Sequence, residues 1–226
     1  MKINKSFEGS SSCFYDDFYD QVNWCQGFGS RIVKNIHHKM ESSFDGQHFS
    51  ACLELGGGNG QHLDYVLHKF DNYTLLDLRK ANLPSRWTTD SRIQTVVANA
   101  EGIPFANNSF DRVIVTCFLH HVDNVENVLN ELDRVLKPSG AATMFIPCDP
   151  GLFVRITRRL TTQRRATQLG FENYGLYIAR EHRGHFASII RIAQYVLRER
   201  SVKICWSPLP FRTWNLNGYV ILSVNH

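Results

Sequence analysis

The chain has 226 residues, 43% of them hydrophobic and 20% charged, with a formal net charge of +4. That length supports one domain with a substantial core, and the composition is that of a globular protein rather than a disordered or fibrous one. No apolar run approaches ~18 residues, so no membrane-spanning helix is expected, and the start Met1-Lys2-Ile3-Asn4-Lys5-Ser6 has no apolar core behind it, so no secretory leader is expected.

Residues 1–12 are polar and rich in serine. From Phe14 to Gln21 aromatic residues recur at helical intervals, with Tyr15, Phe18 and Tyr19 able to share a face. A second helix is expected over about 26–41, with Ile32, Val33 and Ile36 inward. Residues 1–45 are thus expected to form a helical cap.

Residues 46–150 then alternate strand with helix. Strands are expected near 51–56, 73–77, 93–98, 111–117 and 141–147, and helices near 60–70, 79–83 and 124–137. Such alternation implies a parallel sheet with helices on both faces, and right-handed crossovers make it doubly wound. After Pro147-Cys148-Asp149-Pro150-Gly151 the pattern changes. Residues 152–199 read as two or three helices, the last over about 186–198 with Ile189, Ile190, Ala193, Val196 and Leu197 on it. Two closing strands, 201–206 and 219–224, end the chain.

The first strand, Ala51 to Leu55, runs into Gly56, Gly57, Gly58 and Gly60. The spacing is G-x-G-x-G. Gln61 stands where the dinucleotide pattern G-x-G-x-x-G needs its third glycine, which disfavours a nicotinamide oxidoreductase. A glycine turn leaving a parallel strand exposes bare backbone to a ligand. The helix start behind it would offer unpaired N–H groups. Asp77 closes the second strand, where a carboxylate can accept from two ribose hydroxyls at once. As an alternative, Asp77 caps a short helix from Leu78.

Further on stand Asn99-Ala100-Glu101-Gly102-Ile103-Pro104-Phe105, Asn108-Ser109-Phe110-Asp111-Arg112-Val113-Ile114-Val115, Leu119-His120-His121-Val122 and Leu132-Asp133-Arg134-Val135-Leu136-Lys137-Pro138-Ser139-Gly140. In this order the segments, over about residues 50–150, resemble the class I S-adenosylmethionine-dependent methyltransferases. The nearest subgroup is typified by the ubiquinone and menaquinone biosynthesis enzymes (methyltransferase type 11). The resemblance implies a Rossmann-like α/β fold with a doubly wound, mostly parallel seven-stranded sheet. Its last two strands, here 201–226, form a hairpin, so residues 151–200 become a helical insertion on the acceptor side of the crevice. It implies S-adenosylmethionine as cofactor. Gly56, Gly57, Gly58 and Gly60 would hold its methionine and ribose part, and Glu54 would support the loop or the amino group. Asp77 would take the ribose hydroxyls. Leu78, Asn99 and Ala100 would flank the adenine, and Cys117 and Phe118 would border the methyl. The family often has Asp at position 99; Asn can still bond an adenine edge.

Methyl transfer from a sulfonium needs alignment and exclusion of water rather than a metal or a covalent nucleophile. His120 and His121, at the end of the fourth strand, are candidate bases for an oxygen or nitrogen acceptor. His182 and His185, in the insertion, are rivals. No metal is expected: no His/Cys cluster has zinc-ligand spacing, and adjacent histidines point apart on a regular element. The six cysteines form no C-x-x-C pair, the usage of reduced thiols in a cytoplasmic protein.

Charge divides the chain. Residues 1–150 hold 13 Lys and Arg against 18 Asp and Glu, whereas residues 151–226 hold 12 against 3. Arg155, Arg158, Arg159, Arg164, Arg165, Arg180, Arg183 and Arg191 lie in the insertion. They are either a solvated surface or the seat of an anionic acceptor, a sugar-phosphate, glycan or lipid-headgroup type of molecule. A lipid-linked acceptor would place the protein at the periphery of a membrane. Two alternatives stand beside this enzyme: a non-catalytic module binding S-adenosylmethionine or a partner, and a nucleic-acid methyltransferase. The intact glycine turn and Asp77 argue against the first. The absence of an Asn/Asp-Pro-Pro-Tyr/Phe motif after strand four argues against the second.

Overall fold

A computed structural model describes residues 21–22, 28–171, 173–213 and 215–225. The aromatic helix expected around Tyr15, Phe18 and Tyr19 lies outside them. Helix α1, Phe28–Glu41, precedes strands β1 (His48–Leu55), β2 (Lys69–Asp77), β3 (Ile93–Val97) and β4 (Phe110–Thr116). The short α2 (Ser85–Thr88) lies between β2 and β3. After β4 come α3 (Val125–Val135) and β5 (Leu136–Pro147). One helical rod follows: α4 (Leu152–Arg158), a π turn (Arg159–Gln163) and α5 (Arg164–Gln168). Then come α6 (Tyr174–Glu181), α7 (Phe186–Val196), β6 (Ser201–Ser207) and β7 (Tyr219–Asn225). No helix among the described residues is long and apolar enough to cross a membrane.

The seven strands form one sheet in the order β3-β2-β1-β4-β5-β7-β6. β1 to β5 run parallel, and β7 is antiparallel to both β5 and β6. The order reverses beside β1, so a crevice opens where the carboxyl ends of β1 and β4 meet. Side chains alternate across the sheet. Cys52 and Ile114 face Ile36 and Met40 of α1, whereas Leu53, Leu55, Val113 and Val115 face Leu129 and Leu132 of α3 and Ile190 and Ala193 of α7.

Three expected elements change. The helix over 60–70 is a single 3-10 turn, Gln61–Tyr65. β2 already begins at Lys69, and residues 56–68 must hold the glycine turn as well, so no room is left for three helical turns. The helix at 79–83 is absent, because Pro84 disfavours helical backbone at the residue before it, and α2 starts just beyond. α7 is not part of a roof over the crevice: Phe186, Ile189, Ile190 and Ala193 are buried in the main core, making it a layer helix of the sheet. Before α7, Val154 of α4 packs into the main core, whereas Ala166, Phe171, Tyr174 and Tyr177 form a small separate cluster with Val22.

Beneath α1 lies a buried charged network. Arg112 of β4 and Glu41 of α1 are both fully buried and 3.0 Å apart. His62 Nε2 and His68 Nδ1 sit 3.1 and 2.8 Å from the same carboxylate. His37 Nδ1 lies 2.7 Å from His62 Nδ1. The Arg112 guanidinium also covers the Phe44 ring at 3.9 Å. Burial alone would raise the Glu41 carboxyl; hydrogen bonds from His62 and His68 and the charge of Arg112 outweigh it and hold it well below the usual carboxylate range.

Candidate active site

The glycine turn sits at the carboxyl end of β1. Gly56 and Gly58 have φ of 69° and 50°, backbone that side-chain-bearing residues rarely adopt. A Cβ on Gly56 would also lie 2.4 Å from the Phe118 ring, so that glycine admits the chain leaving β4. At Gly58 a Cβ would meet nothing nearer than Gln61 Oε1 at 3.4 Å, and its backbone is bare on that side.

Asp77 ends β2 beside this turn. Its Oδ2 accepts from Gly58 N at 3.1 Å and its Oδ1 from Arg79 N at 2.9 Å. A carboxylate offers about four acceptor positions, so two remain for a ligand. Leu78, 65% exposed, and Val97, 60% exposed, stand next to it as apolar surface at the ends of β2 and β3. Asn99 Oδ1 accepts from Glu101 N at 3.0 Å, which leaves the side-chain amide to donate. Ala100 is buried in the core, so it can offer a ligand only its backbone. Glu54 faces inward: it accepts from Tyr73 O–H at 2.9 Å and Thr116 O–H at 3.2 Å and ties β1, β2 and β4 together below the turn. Burial raises its pKa. Its place favours loop support over direct contact with an amino group.

Cys117 turns the chain at the end of β4, with φ of 53°. Burial lifts its thiol to about 12, so it is no nucleophile. The turn closes with His121 N bonded to Phe118 O at 2.9 Å. This sharp bend overturns one expectation. His120 and His121 are not splayed apart: their ring centroids are 4.0 Å from each other, and His182 joins them at 4.4 and 5.0 Å. Arg183 N and Gly184 N both bond His120 O, stitching the end of α6 to this bend.

The three histidines differ in environment. His120 is buried, and neither ring nitrogen has a hydrogen-bond partner. His121 Nδ1 lies 3.0 Å from Glu181 O, so it carries the proton and donates. His182 Nδ1 lies 2.5 Å from Asp149 Oδ2. Burial, then the neighbouring histidines, hold His120 well below its usual pKa; burial and His182 bring His121 to about 3. Both are neutral and weakly basic at pH 7, which counts against their use as general bases. His185 stands outside the trio: its Nδ1 accepts from Ala187 N at 3.1 Å as the N-cap of α7, and its ring is exposed.

Asp149 was not singled out by the sequence, although an acid ending β5 before Pro150-Gly151 follows the same logic as Asp77. Arg158 grips it at 2.6 and 3.3 Å. Burial would raise Asp149; the bonds from His182 and Arg158 win and bring it to about 2. These residues floor a cleft of about 870 Å³ under α4, the π turn and α6. Arg155, Arg158, Arg159, Arg183 and Tyr174 line it, whereas Arg164, Arg165 and Arg180 do not. Arg158 is paired with Asp149, and Arg183 with Asp123. Arg155 and Arg159 are exposed and in no ion pair among the described residues. Of the arginines that could seat an anion, the cleft thus holds two uncommitted guanidinium groups among the described residues.

Comparison with known proteins agrees with this geometry. Residues 53–144 match the family model of a methyltransferase domain. The chain is 44% identical over 133 residues to the ubiquinone/menaquinone biosynthesis C-methyltransferase UbiE of Klebsiella pneumoniae, covering 54% of this chain and 51% of that one. It is 26% identical over 132 residues to the mitochondrial arginine-hydroxylase NDUFAF5 of Danio rerio, covering 58% of this chain and 39% of that one. The chain therefore spans about half or less of the length of these curated relatives. Among solved structures, the N-methyltransferase NodS of Bradyrhizobium japonicum WM9 with S-adenosyl-L-homocysteine superposes with a TM-score of 0.62 at 12% identity, covering 96% of this chain and 99% of that one. The 1,6-didemethyltoxoflavin-N1-methyltransferase of Burkholderia thailandensis gives 0.57 at 15% identity, covering 95% and 86%. At such identities the likeness is one of fold.

Proposed function

We propose, from the match of residues 53–144 to the family model of a methyltransferase domain, that this chain is an S-adenosylmethionine-dependent methyltransferase and transfers a methyl group to a small or lipid-linked acceptor carrying negative charge. The cofactor supplies an electrophilic methyl on a sulfonium. The observation that carries the reading is the bare Gly58 backbone beside an Asp77 carboxylate with acceptor positions to spare, flanked by exposed Leu78 and Val97. That set suits a ribose joined to a planar base. Asp77 holds the hydroxyls, Leu78 and Asn99 hold the base, and the glycine turn holds the remainder. Phe118, lying over Gly56, borders the reacting end and helps exclude water.

The acceptor occupies the cleft under α4 and α6. Arg155 and Arg159 supply its anion contacts, and Arg158 and Asp149 shape the floor. UbiE, by its name, is a C-methyltransferase and NodS an N-methyltransferase.

Two results are expected. S-adenosylhomocysteine at 100 times its Kd should stabilise the folded chain by about 2.7 kcal/mol, read as a rise in Tm, while NAD leaves Tm unchanged. A shift with NAD alone would reject the cofactor assignment. For the acceptor, methylation of phosphate-bearing sugars and headgroups should be tested beside neutral analogues. Arg155→Glu with Arg159→Glu should raise the acceptor KM roughly tenfold or more, as expected for lost charge-assisted bonds, with S-adenosylhomocysteine affinity unchanged. A neutral acceptor turned over efficiently by both proteins would reject the anionic reading.

A further inference from the structure

We infer that His120, His121 and His182 form a binding site for a divalent transition metal, of the zinc type, beside the cleft, which His182 lines. One ring nitrogen from each lies within 4.8 Å of the others, and no other group among the described residues brings three such ligands together. The segments that meet here are far apart in sequence: the bend after β4 and the end of α6.

Three observations point to a cation. The first is His120. It is buried with two unpartnered ring nitrogens, and a buried polar group left unsatisfied costs about 1–3 kcal/mol. Buried orphans of this kind call for a ligand or ion. The second is the orientation of the other two rings. Metal-bound histidines donate their second N–H to a carboxylate or a backbone carbonyl, which fixes the tautomer. His182 Nδ1 meets the Asp149 carboxylate at 2.5 Å, and His121 Nδ1 meets the Glu181 carbonyl at 3.0 Å. Both bonds leave Nε2 as a lone-pair donor. The third is charge. Arg158 is close, with a nitrogen 3.5 Å from His182 Nδ1, but Asp149 accepts from it at 2.6 Å and neutralises it.

A tetrahedral zinc with nitrogen ligands at about 2.0–2.1 Å holds them about 3.4 Å apart. The three nitrogens lie within 4.8 Å of one another, so binding a zinc draws them together by at most about 1.4 Å. Neutral imidazoles suit zinc, cobalt, nickel and copper, not magnesium or calcium. Three protein ligands leave a fourth position, the arrangement of zinc sites that take a water or a substrate oxygen. His182 lines the cleft, so that position opens towards it. The proposal that this oxygen comes from the acceptor rests on the methyltransferase reading; metal binding itself does not.

The test uses the full chain stripped of metal and titrated with Co²⁺, whose visible absorption reports four-coordinate binding. One equivalent should bind, with zinc displacing it. His182→Ala and His121→Ala should abolish the absorption, and each removes a half-buried ring whose loss the fold tolerates, checked by circular dichroism. Asp149→Asn should weaken Co²⁺ by roughly 10–100-fold through the orienting bond to His182. His48→Ala, on the surface beside Asp71, should bind as the parent does. No absorption at stoichiometric Co²⁺, or binding unchanged in the His121, His182 and Asp149 variants, overturns the site. Since S-adenosylhomocysteine stabilisation is read separately, failure here leaves the methyltransferase reading standing, and failure there leaves the metal site standing.

Discussion

Replacing Glu41 by Ala should destabilise the fold by about 3–5 kcal/mol, the usual cost of removing one partner of a buried ion pair. Arg112 is the reason. It is fully buried, remains charged, and has Glu41 as its one carboxylate partner among the described residues, with a backbone contact to Val113 O at 3.1 Å and the Phe44 ring beside it. Without Glu41 that charge has no counterion, and His62 and His68 lose their shared acceptor. Against a typical stability of about 5–15 kcal/mol, such a loss leaves a marginal protein. Urea unfolding would measure it. A double variant, Glu41→Leu with Arg112→Met, separates the terms: it should recover the part of the loss due to the unpaired charge and keep the part due to His62 and His68 losing their acceptor. If Glu41→Ala alone costs under about 1 kcal/mol, then water reaches Arg112 and the pair is not structural.

The same network sets a pH dependence. Burial, then the neighbouring His62, hold His37 well below its usual value of 6.5, against the opposing pull of Glu41. As pH falls below about 6.5 the unfolded chain binds a proton there that the folded chain refuses. Stability therefore drops by about 1.4 kcal/mol per pH unit. Glu41 is depressed instead, so its contribution is complete above its unfolded value near 4.5 and is lost as pH falls below that. Acid should weaken the fold in two stages, and Glu41→Gln should remove the second. A urea midpoint flat from pH 7 to pH 4.5 would contradict the His37 assignment, and no further fall below pH 4.5 would contradict that of Glu41.

Some of this was legible in the residues. The strands of the sheet announced themselves as short apolar runs, and the glycine turn and Asp77 stand at strand ends where the topology opens a crevice. Their contacts are local or lie one strand apart. What the sequence concealed depends on distance or on bends. Glu41 and Arg112 are 71 residues apart, and nothing in either segment says that α1 delivers a carboxylate to β4. The helix over 60–70 failed because periodicity reports which residues are apolar, not how much chain the glycine turn has already used. On a regular element His120 and His121 would point apart. The positive φ of Cys117 breaks that regularity, and no residue type at 117 signals it. The sequence leaves the arginines as either a solvated surface or an anion seat, and nothing in it says that Asp149 and Asp123 each claim one of them.

Asp77→Ala should weaken S-adenosylhomocysteine by on the order of 100-fold or more, since hydrogen bonds to a charged acceptor are worth about 1.5–3 kcal/mol each and two would be lost. The change has a second route to the same readout. Asp77 also accepts from Gly58 N and Arg79 N, so alanine frees the glycine turn as well as removing the ribose contact. Calorimetry with two ligands separates these routes. An analogue lacking the 2′ and 3′ hydroxyls should bind the parent protein weakly, and Asp77→Ala should weaken that analogue far less than it weakens the natural ligand. The difference is the coupling energy between carboxylate and hydroxyls. If both ligands lose the same affinity, Asp77 acts by fixing the turn and not by holding the ribose. The unliganded Tm supplies the remaining check. Asp77 ends a strand at the rim of the crevice rather than in the core, so Tm should fall by only a few degrees, and a chain that no longer folds would show that the two backbone bonds matter more than the site.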